Sequence, residues 1–201
     1  MRAGLRVMKL QERIEDDWKR MQSQVSEMGI LNRRNEEMSL TDELTGLSNR
    51  RHAMIAMKEA WEASETGGED LSLIMLDIDH FKSVNDNHGH DVGDLVLKEV
   101  ASRIGERSIP EFRAFRTGGE EFLVVCGGVS REDAAILAES IRQRVRARPI
   151  SAVAEEIEVT VSAGVATRET GTRRVEDILR AADQAVYAAK QQGRDRAVMA
   201  G

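Results

Sequence analysis

Two short acidic clusters stand where the chain changes character. Asp77-Ile78-Asp79 closes the apolar run Leu71–Ile78, and Gly118-Gly119-Glu120-Glu121 separates two β-like runs. A carboxylate at the end of a buried strand is costly to ionise unless a cation or hydrogen bonds compensate. Hard oxygen ligands of this kind suit Mg²⁺, which takes one or two carboxylates and completes its shell with water and phosphate. The same residues would also serve as caps for a following helix. Adjacent glutamates after a Gly-Gly pair form an exposed tip, and the missing side chains let a ligand approach the backbone. A solvated turn is the plain alternative. Between the clusters lie Phe81-Lys82-Ser83-Val84-Asn85-Asp86 and Gly89-His90-Asp91-Val92-Gly93-Asp94. Lys82 follows Asp77 by five residues and is placed to meet a phosphate. Asn85 and Asp94 have the groups to read a guanine edge: an amide addresses O6 and N7, and a carboxylate accepts from N1–H and N2–H.

These residues need elements to hold them. Leu71–Ile78 is nearly continuous apolar sequence, the mark of a strand buried on both faces. Phe112–Thr117 and Glu121–Cys126 read as strands of a hairpin, with Gly118-Gly119 supplying the positive φ of a tight turn. Helices are predicted over Asn49–Ala63, Asp91–Arg107, Arg131–Arg148 (stopped by Pro149) and Val175–Gln192, with Gly193 ending the last. Ile157–Thr167 reads as a strand, Ala197–Met199 as a short final one, and the stretch after Asp79 as loop and helix start. Ser39-Leu40-Thr41-Asp42 offers helix caps. Alternating helices and strands with an antiparallel hairpin give an α/β (α+β) class with a mixed sheet.

Composition narrows the function. With 201 residues there is room for one ordinary domain and an appendage. One cysteine, Cys126, excludes an internal disulfide, and the four histidines do not form a zinc set. Aromatics at 3% and a net charge of −6 argue against a nucleic-acid surface, so an anionic ligand must be met by local cations. No apolar run approaches membrane-span length and no signal peptide is evident, which makes a cytoplasmic location the expectation. Residues 1–38 form a separate segment, ahead of a domain over 39–201. There Ile14, Trp18, Met21, Val25 and Met28 recur with a period near 3.5, a short seam suited to a dimerising helix or to packing on its own domain.

Taken together, the motifs resemble the GGDEF domain of diguanylate cyclases in its Gly-Gly-Glu-Glu-Phe variant, Gly118–Phe122. The resemblance runs from about Leu40 to Met199. It includes Asp42-Glu43-Leu44-Thr45-Gly46-Leu47, Asp77-Ile78-Asp79-His80-Phe81-Lys82 and Gly89-His90-Asp91-Val92-Gly93-Asp94. It continues in Val161-Ser162-Ala163-Gly164-Val165-Ala166 and in Ala182-Asp183-Gln184-Ala185 through Lys190, with Gly193-Arg194. The resemblance implies a nucleotidyl-cyclase palm-like fold with about five strands, flanked by helices, and condensation of two GTP into cyclic di-GMP with release of two pyrophosphates. It implies that Asp77, the Ile78 carbonyl and Glu120 hold two Mg²⁺ ions per half-site, Mn²⁺ being the alternative. Lys82, Lys190 and Arg194 would hold the triphosphate. Asn85 and Asp94 would read guanine in a pocket lined by Leu44, Phe81 and Leu97, with His80 counted among the substrate-side residues. Glu120 is the candidate base, and Glu121 stands close to the site.

One half-site holds one GTP while the product joins two, so a homodimer with facing catalytic domains is expected, assembled through the N-terminal helix. A sensor domain upstream fits the same scheme. The inhibitory Arg-x-x-Asp pair of many relatives is replaced by Ile109-Pro110-Glu111-Phe112, so inhibition through that site is not expected. Two other functions compete: a non-catalytic nucleotide receptor, and a cyclase of altered base choice. Arg142, Arg144, Arg146 and Arg148 read as a solvated helix end.

Overall fold

The computed structural model describes residues 18, 21, 22, 39–106, 111–152 and 155–201. It divides into two units, Met1–Ser39 and Leu40–Gly201. In the first, Trp18, Met21 and Gln22 are helical, and Trp18 and Met21 are exposed. Ile14, Val25 and Met28 of the predicted seam lie outside the described residues, as do Ile109 and Pro110.

The second unit is built on Leu71–Ile78 (β2), buried along its length except at Met75. Its even-numbered apolar residues, Ile74, Leu76 and Ile78, face one core, while Leu71 and Leu73 face another. That two-sided burial is why the run carries no polar alternation. β2 pairs antiparallel with Glu121–Gly127 (β4) and with Val161–Thr167 (β7). Phe112–Arg116 (β3) is antiparallel to β4, Ser48–Asn49 (β1) runs parallel to β3, and Ala197–Met199 (β8) parallel to β7. The sheet order is β1-β3-β4-β2-β7-β8, a mixed sheet of six strands, one more than expected because β1 is only two residues long.

Helices Arg50–Gly67 (α1) and Val175–Gln191 (α5) cover the Leu73 face through Ala53, Ala56, Met57, Ile178 and Ala182. Phe81–His88 (α2), His90–Gly105 (α3) and Arg131–Arg146 (α4) cover the Ile74 face. Cys126 is buried there and its thiol is pushed up to about 12 by loss of solvent, an inert core residue.

Four local expectations are corrected. The stretch after Asp79, expected as a loop leading into a helix start, is already helical from Phe81 as α2, with α3 following after Gly89. Ile157–Thr167 is not one strand: Glu155–Ile157 (β6) pairs with Ile150–Ala152 (β5) in a separate hairpin, and β7 starts only at Val161. The break falls where Thr160 turns its backbone carbonyl and hydroxyl to Asp79. Ser39–Asp42 caps no helix: Thr41 bridges Ser48, and Asp42 accepts from the Thr45 amide and hydroxyl to close a turn. The cap of α1 is Asn49, whose side chain accepts from the His52 amide. Finally, β3 and β4 do form a hairpin, but neither Gly118 nor Gly119 has positive φ. A Cβ at Gly118 would lie 2.5 Å from Glu121 Oε2, so that glycine makes room for a carboxylate rather than for a left-handed turn.

Candidate active site

Asp77 occupies the end of β2, opposite Glu121 of β4 on one side and Ser162 of β7 on the other. The neighbouring Ile78 amide donates to the Glu120 carbonyl at 3.2 Å. The register therefore delivers the two acidic clusters, distant in sequence, to one end of the sheet. Asp77 is buried, with Oδ2 2.7 Å from Lys190 Nζ at the last turn of α5. Burial pushes its carboxyl above the ordinary aspartate range, the lysine opposes this, and the charges of Asp79 and Asp183 add to the rise. Glu120 is also raised, first by burial and then by the Asp77 charge. Two carboxylates whose ionisation is penalised by burial and by neighbouring carboxylates favour an added cation.

Among the described residues no group of three His, Cys, Asp or Glu side chains converges on a metal position. A divalent cation here would draw on two carboxylates and complete its shell with the Ile78 carbonyl, water and substrate phosphate. That open donor set fits Mg²⁺, whose protein sites are rarely closed cages.

Asp79 does something different. Its oxygens accept from Thr160 Oγ1 and Ser162 Oγ, both at 2.7 Å, and from the Asp195 amide at 3.1 Å. Saturated by hydrogen bonds, it anchors the turn after α5 to the end of β2. That turn carries Arg194 (φ 62°) and Asp195 (φ 45°) in left-handed conformations, which cost on the order of 1 kcal/mol each for non-glycine residues. The Arg194 amide donates to the Ala189 carbonyl, while its guanidinium makes no hydrogen bond or ion pair with the described residues.

Lys82 is exposed at the first turn of α2. Asn85 lies one turn further on, over Gly93 of α3: a Cβ there would sit 1.9 Å from Asn85 Oδ1 and 3.4 Å from the Phe81 ring. Asp94 is exposed beside Gly93. Phe81 and Leu97 belong to one apolar cluster, against which Leu44 packs half-buried. Asn85 and Phe81 thus meet at Gly93, next to Asp94 in the chain, while Leu97 and Leu44 belong to the same sheet face as Phe81. Glu121 is exposed and folded back over Gly118. His80, with φ 57°, lines a cleft between α2 and the β5–β6 hairpin together with Asp79, Ser83, Glu156 and Thr160.

Several positioning contacts were not foreseen. Arg116 of β3 donates to both Asp42 oxygens and to the Gly119 carbonyl, so it ties the domain entry to the tip bearing Glu120. Burial raises the Asp42 carboxyl, but Thr45 and Arg116 outweigh it and hold it below the usual range. Arg142 and Arg146 are not a merely solvated face: both bond Asp195. Their partners lie about fifty residues away, beyond any local signal.

Glu139 shows how firmly α4 is wired. The Arg142 guanidinium holds its carboxyl down to about 2, with Gln143 assisting. A depressed folded value means stabilisation present above the unfolded value near 4.5 and lost as pH falls toward 2. Glu139→Gln should therefore flatten the acid limb of a stability-against-pH curve between those values, as read by urea melts. An unchanged slope would contradict the pairing.

Residues 39–196 match the family model "Diguanylate cyclase, GGDEF domain". The chain belongs to the GGDEF diguanylate cyclase family. This GGDEF domain is 38% identical over 164 residues to the response regulator PleD of Caulobacter vibrioides, covering 81% of this chain and 36% of PleD. It is 40% identical over 160 residues to the diguanylate cyclase DgcP of Pseudomonas aeruginosa, covering 80% of this chain and 24% of DgcP. The chain thus spans well under half the length of these two relatives. Among solved structures, the GGDEF domain of Caulobacter crescentus DgcB in complex with c-di-GMP superposes with a TM-score of 0.77 at 38% identity, over 80% of this chain and 93% of that one. The active GGEEF domain of a Vibrio cholerae diguanylate cyclase gives 0.72 at 37% identity, over 77% and 98%. The mixed sheet flanked by helices is therefore the GGDEF fold. No helix among the described residues is long and apolar enough to cross a membrane.

Proposed function

We propose that this GGDEF domain condenses two GTP molecules into cyclic di-GMP with release of two pyrophosphates. The observation that carries the reading is the convergence of Asp77, Glu120 and Lys190 at one end of the sheet, beside the turn that presents Arg194.

In each half-reaction a ribose 3′-oxygen forms a bond to the α-phosphorus of the other GTP. The bond from that phosphorus to the bridging oxygen breaks, and pyrophosphate leaves. Such transfers depend on positioning and charge stabilisation more than on covalent help from the protein. Mg²⁺ held by Asp77, Glu120 and the Ile78 carbonyl, two ions per half-site or Mn²⁺ in their place, would supply charge neutralisation when bound. Lys190 neutralises Asp77 and reaches toward the phosphates, and Lys82 and Arg194 offset the remaining triphosphate charge. Glu120, at the tip beside the end of β2, is the group placed to accept the 3′-hydroxyl proton. Asn85 and Asp94 read guanine over Phe81, Leu97 and Leu44.

One domain presents one such set, so two must face each other, and the exposed Trp18 and Met21 on the N-terminal helix support a homodimer formed there. The protein would then act where GTP and Mg²⁺ are abundant, in the cytoplasm, under a sensor joined to or bound by this helix. Incubation of a dimeric preparation with Mg²⁺, GTP and competing ATP should yield cyclic di-GMP by mass spectrometry. Failure to form it would overturn the reading.

Gly93→Ala tests the guanine subsite. The added methyl must displace the Asn85 amide. Losing one such hydrogen bond raises KM for GTP about tenfold. An unchanged KM would remove Asn85 from the subsite.

A further inference from the structure

The turn after α5 places an acidic residue, Asp195, directly beside Arg194, the cation assigned above to the triphosphate. A bare carboxylate there would repel phosphate, and two successive left-handed non-glycine residues would relax without support. Both problems have one solution in the fold. Arg142 Nη1 lies 2.5 Å from Asp195 Oδ1, Arg146 Nη1 lies 2.8 Å from Oδ2, and the Asp195 amide donates to Asp79 at 3.1 Å. Arg142 is itself held by Glu139 through two hydrogen bonds and is largely buried, so the clamp is rigid where it matters. Arg146 is mostly exposed and closes it from outside.

We propose that Asp195, clamped by Arg142 and Arg146, is a positioning residue that fixes the left-handed turn so that Arg194 is aimed at the triphosphate of the bound nucleotide. The inference rests on the reading that Arg194 binds phosphate. The clamp offsets the Asp195 charge by two guanidinium groups, and Arg196 donates from Nε to the Arg194 carbonyl, so that Asp195 does not cancel the charge Arg194 presents. It also links α4, a helix with no other part in the site, to nucleotide affinity.

The test uses the full chain and steady-state kinetics with GTP, together with equilibrium binding of GTP and of guanosine. Asp195→Asn keeps the shape and removes the charge that holds both arginines. KM for GTP should rise about tenfold, with kcat changed by less than about twofold and guanosine binding unaffected. Arg142→Ala should match it and Arg142→Lys should recover part of the loss. Arg146→Gln, at an exposed position that does not threaten folding, should give a smaller rise of about threefold in the same direction. In an Arg194→Ala background Asp195→Asn should add nothing further. The clamp is overturned if Asp195→Asn leaves KM unchanged while Arg194→Ala raises it, or if the two effects multiply. If Arg194→Ala leaves KM unaltered, the phosphate reading itself has failed, and the two failures are told apart by that single variant.

Discussion

Asp77→Asn is expected to lower turnover of GTP by about 10³-fold while the metal-free protein melts no lower than its parent. The loss follows from removing a hard anionic ligand: a divalent cation contributes several kcal/mol to charge stabilisation, and about 4 kcal/mol is a factor near 10³. The stability half of the expectation is the less obvious one. Burial raises the folded-state pKa of Asp77, so its stabilising contribution is complete below the unfolded value near 3.8 and is lost as pH rises through the folded value. At neutral pH the ionised carboxylate is a net burden that Lys190 only partly relieves. Asparagine keeps the shape without the charge, and Lys190, a third exposed, can return to water. Glu120→Gln should lower turnover similarly. The measurements are initial rates with saturating Mg²⁺ and calorimetric Tm in chelator. Retained turnover would remove Asp77 from the metal site, and a Tm several degrees lower would show that the Lys190 pair outweighs burial.

The residues proposed to carry this chemistry are legible because they sit at ends of strong patterns. Leu71–Ile78 announces itself by composition, whereas its pairing with β4, which brings Asp77 opposite Glu121, is seen only in the structure. The parts that were not legible share a different origin. Helix α2 contains Ser83, Asn85, Asp86, Asn87 and His88, residues of modest helix propensity, with only Phe81 and Val84 as buried anchors. Its helical state comes from packing on the core cluster, not from local preference. The β5–β6 hairpin was hidden because Ile157, Val159 and Val161 continue one alternating run, and only the bonds from Thr160 to Asp79 divide it. The Arg142–Asp195 and Arg116–Asp42 pairs join residues 53 and 74 positions apart, and no periodicity encodes such distances. What sequence reading named were the groups proposed to touch substrate. The groups that hold those groups in place required coordinates.

Gly164→Ala is expected to destabilise the domain by about 3 kcal/mol, at the upper end of overpacking effects, and to lower Tm by roughly 6–12 °C for a domain of this size. Gly164 lies in the middle of β7, where α5 crosses the sheet. A Cβ there would lie 2.1 Å from the Ala182 carbonyl oxygen, 2.5 Å from the Val186 nitrogen and 3.0 Å from the Ala185 carbonyl carbon. All three are backbone atoms of α5, so no side-chain rotation relieves the contact, and the helix must move away from the strand. That helix carries Lys190, whose ammonium stands 2.7 Å from Asp77. Displacement of α5 therefore opens the site as well as the core, and activity should fall more than the unfolded fraction accounts for. Gly105→Ala provides the contrast: its Cβ would meet only the flexible tip of Leu47 at 3.2 Å, at the end of a helix where alanine is the better residue. Its stability should stay within about 1 kcal/mol of the parent. Urea and thermal melts on both variants decide the matter. A Gly164→Ala protein melting within 2 °C of the parent, about the effect of a sub-kcal/mol change, would mean that α5 is not seated on the sheet as closely as these distances require.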